Sequence, residues 1–319
     1  MKKLLLLFGT DSFEHEVSII SCKNIIKNID RKKFIFDVVG ISKDNEWFLV
    51  TDYEDLSLYS DKQIYNVSEF VKMYDVIFPV IHGKNGEDGK LQGFLDICGI
   101  KYVGSNLISS SICMDKAYCK IICEKYRIPQ IDYIILKKGE KLNKKISYPV
   151  IVKPANGGSS IGISIVNNKK ELKTSINNAF KYDDKIIIEK YIKARELECA
   201  VIETKNKIII DVGEVLPSNT FYDYEDKYLK NETKYDLYPK IDKKIIKEIK
   251  DYSRIIFDIL ECKDLARIDF LYDYTNNKVY FNEINTMPGF TDISMYPMIL
   301  SKNNLNLKDI ITILINNNS

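Results

Sequence analysis

The chain has 319 residues, 45% of them apolar and 29% charged, enough to bury a full core in two or three domains. Its 47 basic and 45 acidic residues leave a net charge of +2, too balanced for a nucleic-acid or membrane-surface footprint. Seven scattered cysteines without a Cys-x-x-Cys pair, and only two histidines, argue against a zinc site and for free thiols in a reducing cytoplasm.

Met1-Lys2-Lys3 and the apolar run 4–8 imitate the start of a signal peptide. The run stops at Gly9 and meets Asp11, Glu14 and Glu16. It is too short for a secretory core or a membrane span, and predicts a buried parallel strand. After a loop at 9–12, Val17, Ile20, Ile25 and Ile26 recur at helical spacing up to Asp30. Strands are expected at 34–41 and 75–80, the second running into His82-Gly83-Lys84-Asn85-Gly86-Glu87-Asp88-Gly89. A helix over 91–98 and a strand over 101–103 complete a βαβ-type unit. Ligands of such units bind at the carboxyl ends of the strands, where Glu14 and His82 stand.

A helix over 115–126 ends before Pro129. A strand at 148–153, the turn Gly157-Gly158-Ser159-Ser160-Ile161-Gly162, a strand at 163–166 and a helix at 169–180 form a small α+β unit. Such a turn lets backbone N–H groups approach phosphate oxygens, although a plain hairpin turn has the same spacing. It is not a P-loop, since no Gly-Lys-Ser/Thr follows, and it does not open a helix. Lys116 and Lys153 are two further cations. Strands at 186–191, 197–202 and 207–212 begin a third unit. The polar segment 218–240 carries five tyrosines; connections this long are functional or disordered. Helices are expected at 242–260 and 307–315. The chain has no internal repeat and no low-complexity tract.

Between those two helices the chain reads ARIDFLYDYTNNKVYFNEINTMPGF. The runs 267–272 and 279–285 around Thr275-Asn276-Asn277 predict a β-hairpin. With the turn centred on Asn276, Asp269 lies opposite Glu283, Arg267 opposite Asn285 and Leu271 opposite Phe281, all on one face. Opposed carboxylates roughly 5 Å apart repel unless a cation lies between them. The all-oxygen set of Asp, Glu and Asn suits Mg²⁺, and Leu271 offers an apolar neighbour for a flat base. The same residues equally permit a solvated face with an ordinary Arg–Asp pair.

Taken together, the motifs decide more than any one does. Glu14-His15-Glu16-Val17-Ser18, the His82 to Gly89 run, Met114-Asp115-Lys116, Lys153-Pro154, Gly158-Ser159-Ser160-Ile161-Gly162, Phe221-Tyr222-Asp223-Tyr224 with Lys227-Tyr228, Arg267-Ile268-Asp269 and Asn285-Thr286-Met287-Pro288-Gly289-Phe290-Thr291 occur in that order. Over essentially its whole length the chain resembles the D-alanine–D-alanine ligases of the ATP-grasp superfamily. The resemblance implies an α/β fold of three domains: an N-terminal Rossmann-like substrate domain (1–107), a central ATP-grasp subdomain (108–190) and a C-terminal subdomain with the metal site (191–319). It implies ATP-dependent, ADP-forming ligation of two D-alanines through an acyl phosphate, for peptidoglycan synthesis. It further implies a cytoplasmic homodimer with no nucleic-acid or membrane partner.

Carried over motif by motif, the resemblance assigns roles to residues. Asp269, Glu283 and Asn285 would hold two Mg²⁺ ions, replaceable by Mn²⁺, against the phosphates, Asn285 serving the nucleotide as well. Lys116, Lys153 and Lys227 would bind phosphate oxygens, and Glu189 and Glu196 the adenine and ribose, with the Gly-rich loop as a lid. Arg267 and the Gly289 N–H would form an oxyanion site. Glu14 would take the first substrate's ammonium and, with Ser159 and Tyr228, close the Tyr-rich segment over the site. His82 would lie near the first substrate, and Ser294 and Met295 near the second. Two departures stand out: Gly9-Thr10 where the family has Gly-Gly, and Ile293 where many members have an aromatic or histidine. Met295 stands where relatives making D-Ala–D-lactate or D-Ala–D-serine carry Arg, which favours D-alanine in both subsites. The N-terminal motifs, with Gly40-Ile41-Ser42 and Glu46-Trp47-Phe48, also resemble the D-Ala–D-Ser branch, which is the runner-up. A catalytically silent ATP-grasp binding protein is the remaining alternative; intact Arg267, Asp269, Glu283, Asn285 and Ser159 argue against it.

Overall fold

Leu4 to Phe8, each wholly inaccessible to solvent, form the spine of the first of three sheets in a computed structural model that describes residues 1–56, 62–216 and 234–318. This sheet contains β1 (Lys2–Gly9), β2 (Phe34–Ile41), β3 (Trp47–Val50), β4 (Lys62–Gln63) and β5 (Val76–Pro79), in the order β4-β3-β2-β1-β5. β2, β1 and β5 are parallel, and β3 and β4 add antiparallel edges. Helices α1 (His15–Asn28), α2 (Val67–Val71) and α3 (Lys90–Cys98) connect them. The strand expected at 101–103 is only a single bridge between Ile77 and Tyr102. Left-handed glycines at 99 and 104 flank that stretch, leaving too little extended chain for a ladder.

The second sheet follows α4 (Leu107–Met114) and α5 (Lys116–Lys125). Asp115 caps α5 by accepting from the N–H groups of Ala117 and Tyr118. The strands are β6 (Tyr133–Lys137), β7 (Val150–Pro154), β8 (Ser164–Val166) and, beyond α6 (Lys169–Ala179), β9 (Lys185–Lys190). They pair antiparallel in the order β6-β9-β7-β8. β6, α4 and the short β3 and β4 are elements that apolar periodicity alone did not mark.

The third sheet is also antiparallel, β12-β11-β10-β13-β14. It comprises β10 (Arg195–Glu203), β11 (Ile208–Leu216), β12 (Lys234–Asp236), β13 (Leu265–Asp273) and β14 (Lys278–Asn285), with α7 (Lys243–Ile259) across it and α8 (Met295–Ser301) and α9 (Leu307–Asn317) closing the chain. The start of the Tyr-rich segment, with Lys227 and Tyr228, lies outside the described residues. α8 and α9 are shared property. Tyr296, Ile299, Ile310 and Leu314 pack in one core with Leu4, Leu6 and Phe8 of β1 and Ala200 and Ile202 of β10. The second sheet has a separate core around Val152, Ile186 and Ile188. Among the described residues no helix is long and apolar enough to cross a membrane, and all seven cysteines are free.

The β13–β14 hairpin has the expected pairing at its functional end: Arg267 opposite Asn285 and Asp269 opposite Glu283. Beyond that the register shifts at Asp269/Phe270, so Phe270 faces Phe281 and Leu271 faces Tyr280. The expected Leu271–Phe281 pair is therefore wrong. Asn282 is the extra residue of a bulge, which shifts every later partner by one position.

At the end of β1, Gly9 and Thr10 have φ of 98° and 76°. Gly9 is required, because a Cβ there would collide with the Ile41 carbonyl. Thr10 is β-branched, a poor occupant of left-handed backbone, and its buried Oγ1 has no partner among the described residues. Thr10→Gly should therefore stabilise the fold by about 1 kcal/mol, seen as a higher urea midpoint at unchanged slope.

Candidate active site

Two adjoining pockets lie where the three sheets meet. Glu14, His82, Arg267, Gly289 and Ser294 line the first. Lys153, Glu189, Glu196, Asp269, Leu271 and Asn282 line the second. Lys116, Ser159, Glu198 and Glu283 line both, so a group lying between the pockets would meet all four.

The hairpin face supplies the charges at the junction. Arg267 forks onto Asp269, Nε to Oδ1 and Nη2 to Oδ2, both at 2.8 Å. Its Nε is also 3.2 Å from Glu198 Oε2 on β10. Asn285 Nδ2 donates to Asp269 Oδ2 at 3.1 Å. Burial alone would lower the Arg267 pKa, but Asp269 and Glu198 outweigh it and hold the guanidinium firmly charged. Glu283 Oε2 lies 3.2 Å from Lys116 Nζ, which also donates to the Gly157 carbonyl at 2.7 Å.

Three carboxylates meet at this junction, Glu198, Asp269 and Glu283, and Arg267 and Lys116 are among their ion-pair partners. The hard oxygen donors of Asp269, Glu283 and Asn285 fit a magnesium ion. As the side chains stand, Asp269 and Glu283 are turned to their cations, and among the described residues no three His, Cys, Asp or Glu side chains converge as a metal cluster.

The second pocket holds a buried triad. Glu189 on β9 lies 2.6 Å from Lys153 Nζ through Oε2 and 2.7 Å from Lys120 Nζ through Oε1. The Oε1 contact is an ion pair without hydrogen-bond geometry. Burial pushes the carboxyl up, yet the two ammonium groups prevail and hold it at about 2. Burial pulls Lys153 down from its ordinary value, with Glu189 opposing. Lys120, only 1% exposed, escaped the sequence reading. Its one available signal was a lysine between Cys119 and Cys123 on the apolar face of α5. Asn282 escaped too: the bulge turns it to this pocket, where its Oδ1 lies 3.4 Å from Lys153 Nζ.

In the first pocket Ser159 Oγ donates to Glu14 Oε1 at 2.7 Å, which brings the Gly-rich turn onto the α1 entry. Ser159 and Ser160 are both left-handed, at φ of 52° and 59°, so the turn's backbone groups face unusual directions. Gly83 is needed beside Glu14, since a Cβ would stand 2.7 Å from Glu14 Oε2. His82 is buried, and burial lowers its pKa. Both ring nitrogens are engaged, Nδ1 with the Met287 carbonyl at 2.8 Å and Nε2 with Ser21 Oγ at 2.9 Å, so the ring forms a wall. Gly289 packs on Ser294, whose Oγ accepts from the Thr291 N–H at 3.0 Å. Met295 lines the pocket with an apolar side chain and is otherwise core, while Ile293 is 40% exposed. Glu196 lies on β10 opposite Leu271. Of the expected residues only Lys227 and Tyr228 fall outside the description.

Family models described as D-ala D-ala ligase N-terminus and D-ala D-ala ligase C-terminus match residues 3–105 and 122–316. The chain belongs to the D-Ala–D-Ala ligase family. A D-alanine–D-alanine ligase of Caldicellulosiruptor bescii is 42% identical over 327 residues, covering 93% of this chain and 90% of that protein. The crystal structure of the VanG D-Ala:D-Ser ligase from Enterococcus faecalis superposes with a TM-score of 0.86 at 32% identity, covering 99% and 98% of the two chains. A D-alanine–D-alanine ligase from Bacillus anthracis complexed with ATP gives 0.78 at 28% identity, covering 99% and 97%.

The triad predicts an acid-dependent stability for this ligase-family fold. Glu189 is held below its ordinary 4.5 at about 2, so its contribution is full above pH 4.5 and fades as pH falls towards 2. Lys120→Met removes one ammonium and raises the Glu189 pKa, so the fade begins at higher pH. Urea midpoints from pH 7 down to 3 should show a loss of about 2 kcal/mol at neutral pH and a displaced acid limb.

Proposed function

We propose that this chain joins two molecules of D-alanine into D-alanyl-D-alanine, with cleavage of ATP to ADP and phosphate, for peptidoglycan precursor synthesis. The observation that carries the reading is the placement of Arg267, Asp269, Glu283 and Asn285 on one hairpin face between two pockets, in a chain of this family. The first pocket suits two small zwitterions; the second, with Lys153, Glu189 and Leu271, suits a nucleotide.

The first D-alanine carboxylate attacks the γ-phosphorus of ATP, ADP leaves, and an acyl phosphate results. The second D-alanine's amine attacks that carbonyl, and phosphate departs from the tetrahedral adduct. Glu14, held by Ser159, takes the first substrate's ammonium. Lys116 and Lys153 meet the phosphates; Lys227 is assigned there by motif alone. Glu189 and Glu196 take adenine and ribose. Arg267 and the Gly289 N–H receive the oxyanion. Asp269, Glu283 and Asn285 would hold magnesium, which would supply neutralisation of phosphate charge. Ser159, and Tyr228 by motif alone, are assigned to closing the Tyr-rich segment over the first pocket, which would exclude water from the acyl phosphate. His82 shapes the first subsite, and Ser294 and Met295 the second. The domains are taken as 1–107, Rossmann-like, and 108–190 with 191–319 as the two ATP-grasp halves. The protein is taken as a cytoplasmic homodimer.

One observation favours a second reading: the neighbour that superposes at 0.86 is named a D-Ala:D-Ser ligase. Against it, Met295 offers no cation or hydrogen-bond donor to a second substrate's hydroxyl, and Ile293 beside it is apolar. Given equal D-Ala and D-Ser with ATP, the chain should release chiefly D-Ala–D-Ala by product mass. A majority of D-Ala–D-Ser would move it to the second branch, and no D-alanine-dependent ADP would remove both readings. Arg267→Ala should lower kcat roughly 10³-fold while the KM for ATP shifts only a few-fold; small and equal effects on both would contradict the oxyanion role.

A further inference from the structure

The segment Met287-Pro288-Gly289-Phe290 is gripped from outside by four side chains of the N-terminal half. Glu87 Oε1 accepts from the Met287 N–H at 2.8 Å, and His82 Nδ1 donates to the Met287 carbonyl at 2.8 Å. Ser21 Oγ accepts from the Phe290 N–H at 3.1 Å, and Asn24 Nδ2 donates to the Phe290 carbonyl at 2.8 Å. Every main-chain hydrogen-bonding group of the two residues flanking Pro288-Gly289 is therefore held, and proline has no N–H to offer. Among the described residues the Gly289 N–H has no acceptor, and Gly289 lines the first pocket.

The set is closed and self-consistent. His82 carries its proton on Nδ1 to meet the Met287 carbonyl, which leaves Nε2 to accept from the Ser21 hydroxyl. That hydroxyl in turn accepts the Phe290 N–H. Burial keeps the ring neutral, as this arrangement requires. Glu87 Oε2 accepts from the Gly83 N–H at 2.8 Å, tying the same grip to the loop beside Glu14. The Phe290 ring is fixed between Phe78 and Tyr296, with centroids 5.7 Å from each.

We propose that Ser21, Asn24, His82 and Glu87 are positioning residues for acyl transfer: by holding Met287 and Phe290 they aim the one unpaired N–H between them, that of Gly289, at the developing oxyanion. The proposal rests on the reading of Gly289 as an oxyanion donor. An oxyanion donor acts through its direction and distance to a position that exists only in the transition state, so a loosened peptide loses rate before it loses substrate binding.

The test uses the full chain with Ser21→Ala and Asn24→Ala, and Lys27→Ala, exposed on the same helix, as a control. Measured are kcat, the KM values for ATP and D-alanine, and inhibition by a tetrahedral phosphinate mimic of the dipeptide adduct. Both variants should lose about ten-fold or more in kcat, with the ATP KM within two-fold of wild type, and should bind the mimic more weakly by the same factor as the kcat loss. Lys27→Ala should match wild type. A kcat within two-fold of wild type in both variants, or a kcat loss matched by an equal change in the ATP KM, overturns the proposal. Should the fully buried Ser21→Ala fail to melt cooperatively, half-buried Asn24→Ala decides alone. No dipeptide from the wild-type chain would strike the functional reading itself, and the clamp with it.

Discussion

A guanidinium buried between two carboxylates is the constraint on which both pockets depend. Arg267 cannot be stable beneath the surface without Asp269 beside it and Glu198 across the sheet. Those partners exist only if β10, β13 and β14 pair in one register, since a slip by one residue would send every one of these side chains to the opposite face. The carboxylates are in turn dependent on Arg267 and Lys116, because three of them at one junction repel.

The second pocket repeats this logic with the sign reversed. Lys120 and Lys153 share one carboxylate, Glu189, so the triad carries an excess positive charge away from water. An anion arriving at Lys153 meets a cation only half neutralised. Because Lys120 also pairs with Glu189, the buried carboxylate would keep one cation if Lys153 turned to an anion.

What the sequence made legible followed from periodicity and local chemistry. The apolar run of β1, the alternation along β13 and β14 and the Asn-rich turn fixed the strands and brought Asp269 opposite Glu283. The bulge at Asn282 was not legible, because an inserted residue in a strand has no composition of its own; it falsified the Leu271–Phe281 pair and delivered Asn282 to the second pocket. Lys120 was hidden because a lysine on a helix reads as solvated until a buried partner from another sheet is seen. The grip on Met287 and Phe290 was hidden by distance along the chain: Asn24 and Phe290 are 266 residues apart, and nothing local in either segment announces the other. Glu87 lay inside a motif that was recognised, yet its work is done on a backbone group that no motif spells out.

The distribution of apolar cores gives the three sheets unequal standing. The first sheet and the third meet through α8 and α9 in one continuous core, and the grip on 287–290 adds hydrogen bonds between the same two parts. The second sheet keeps its own core. Polar contacts from its strands and Gly-rich turn to the other two include Ser159 to Glu14 and Lys153 to Asn282. Separating the first sheet from the third would open a core at roughly 25 cal/mol for each Å², whereas the second sheet packs through Ala155 and Ile187 on Ala117 of α5, whose Cys119 and Cys123 enter the core of the third. The segment 287–290 lies inside the part that the first and third sheets share, with Met287 and Phe290 buried in their common core.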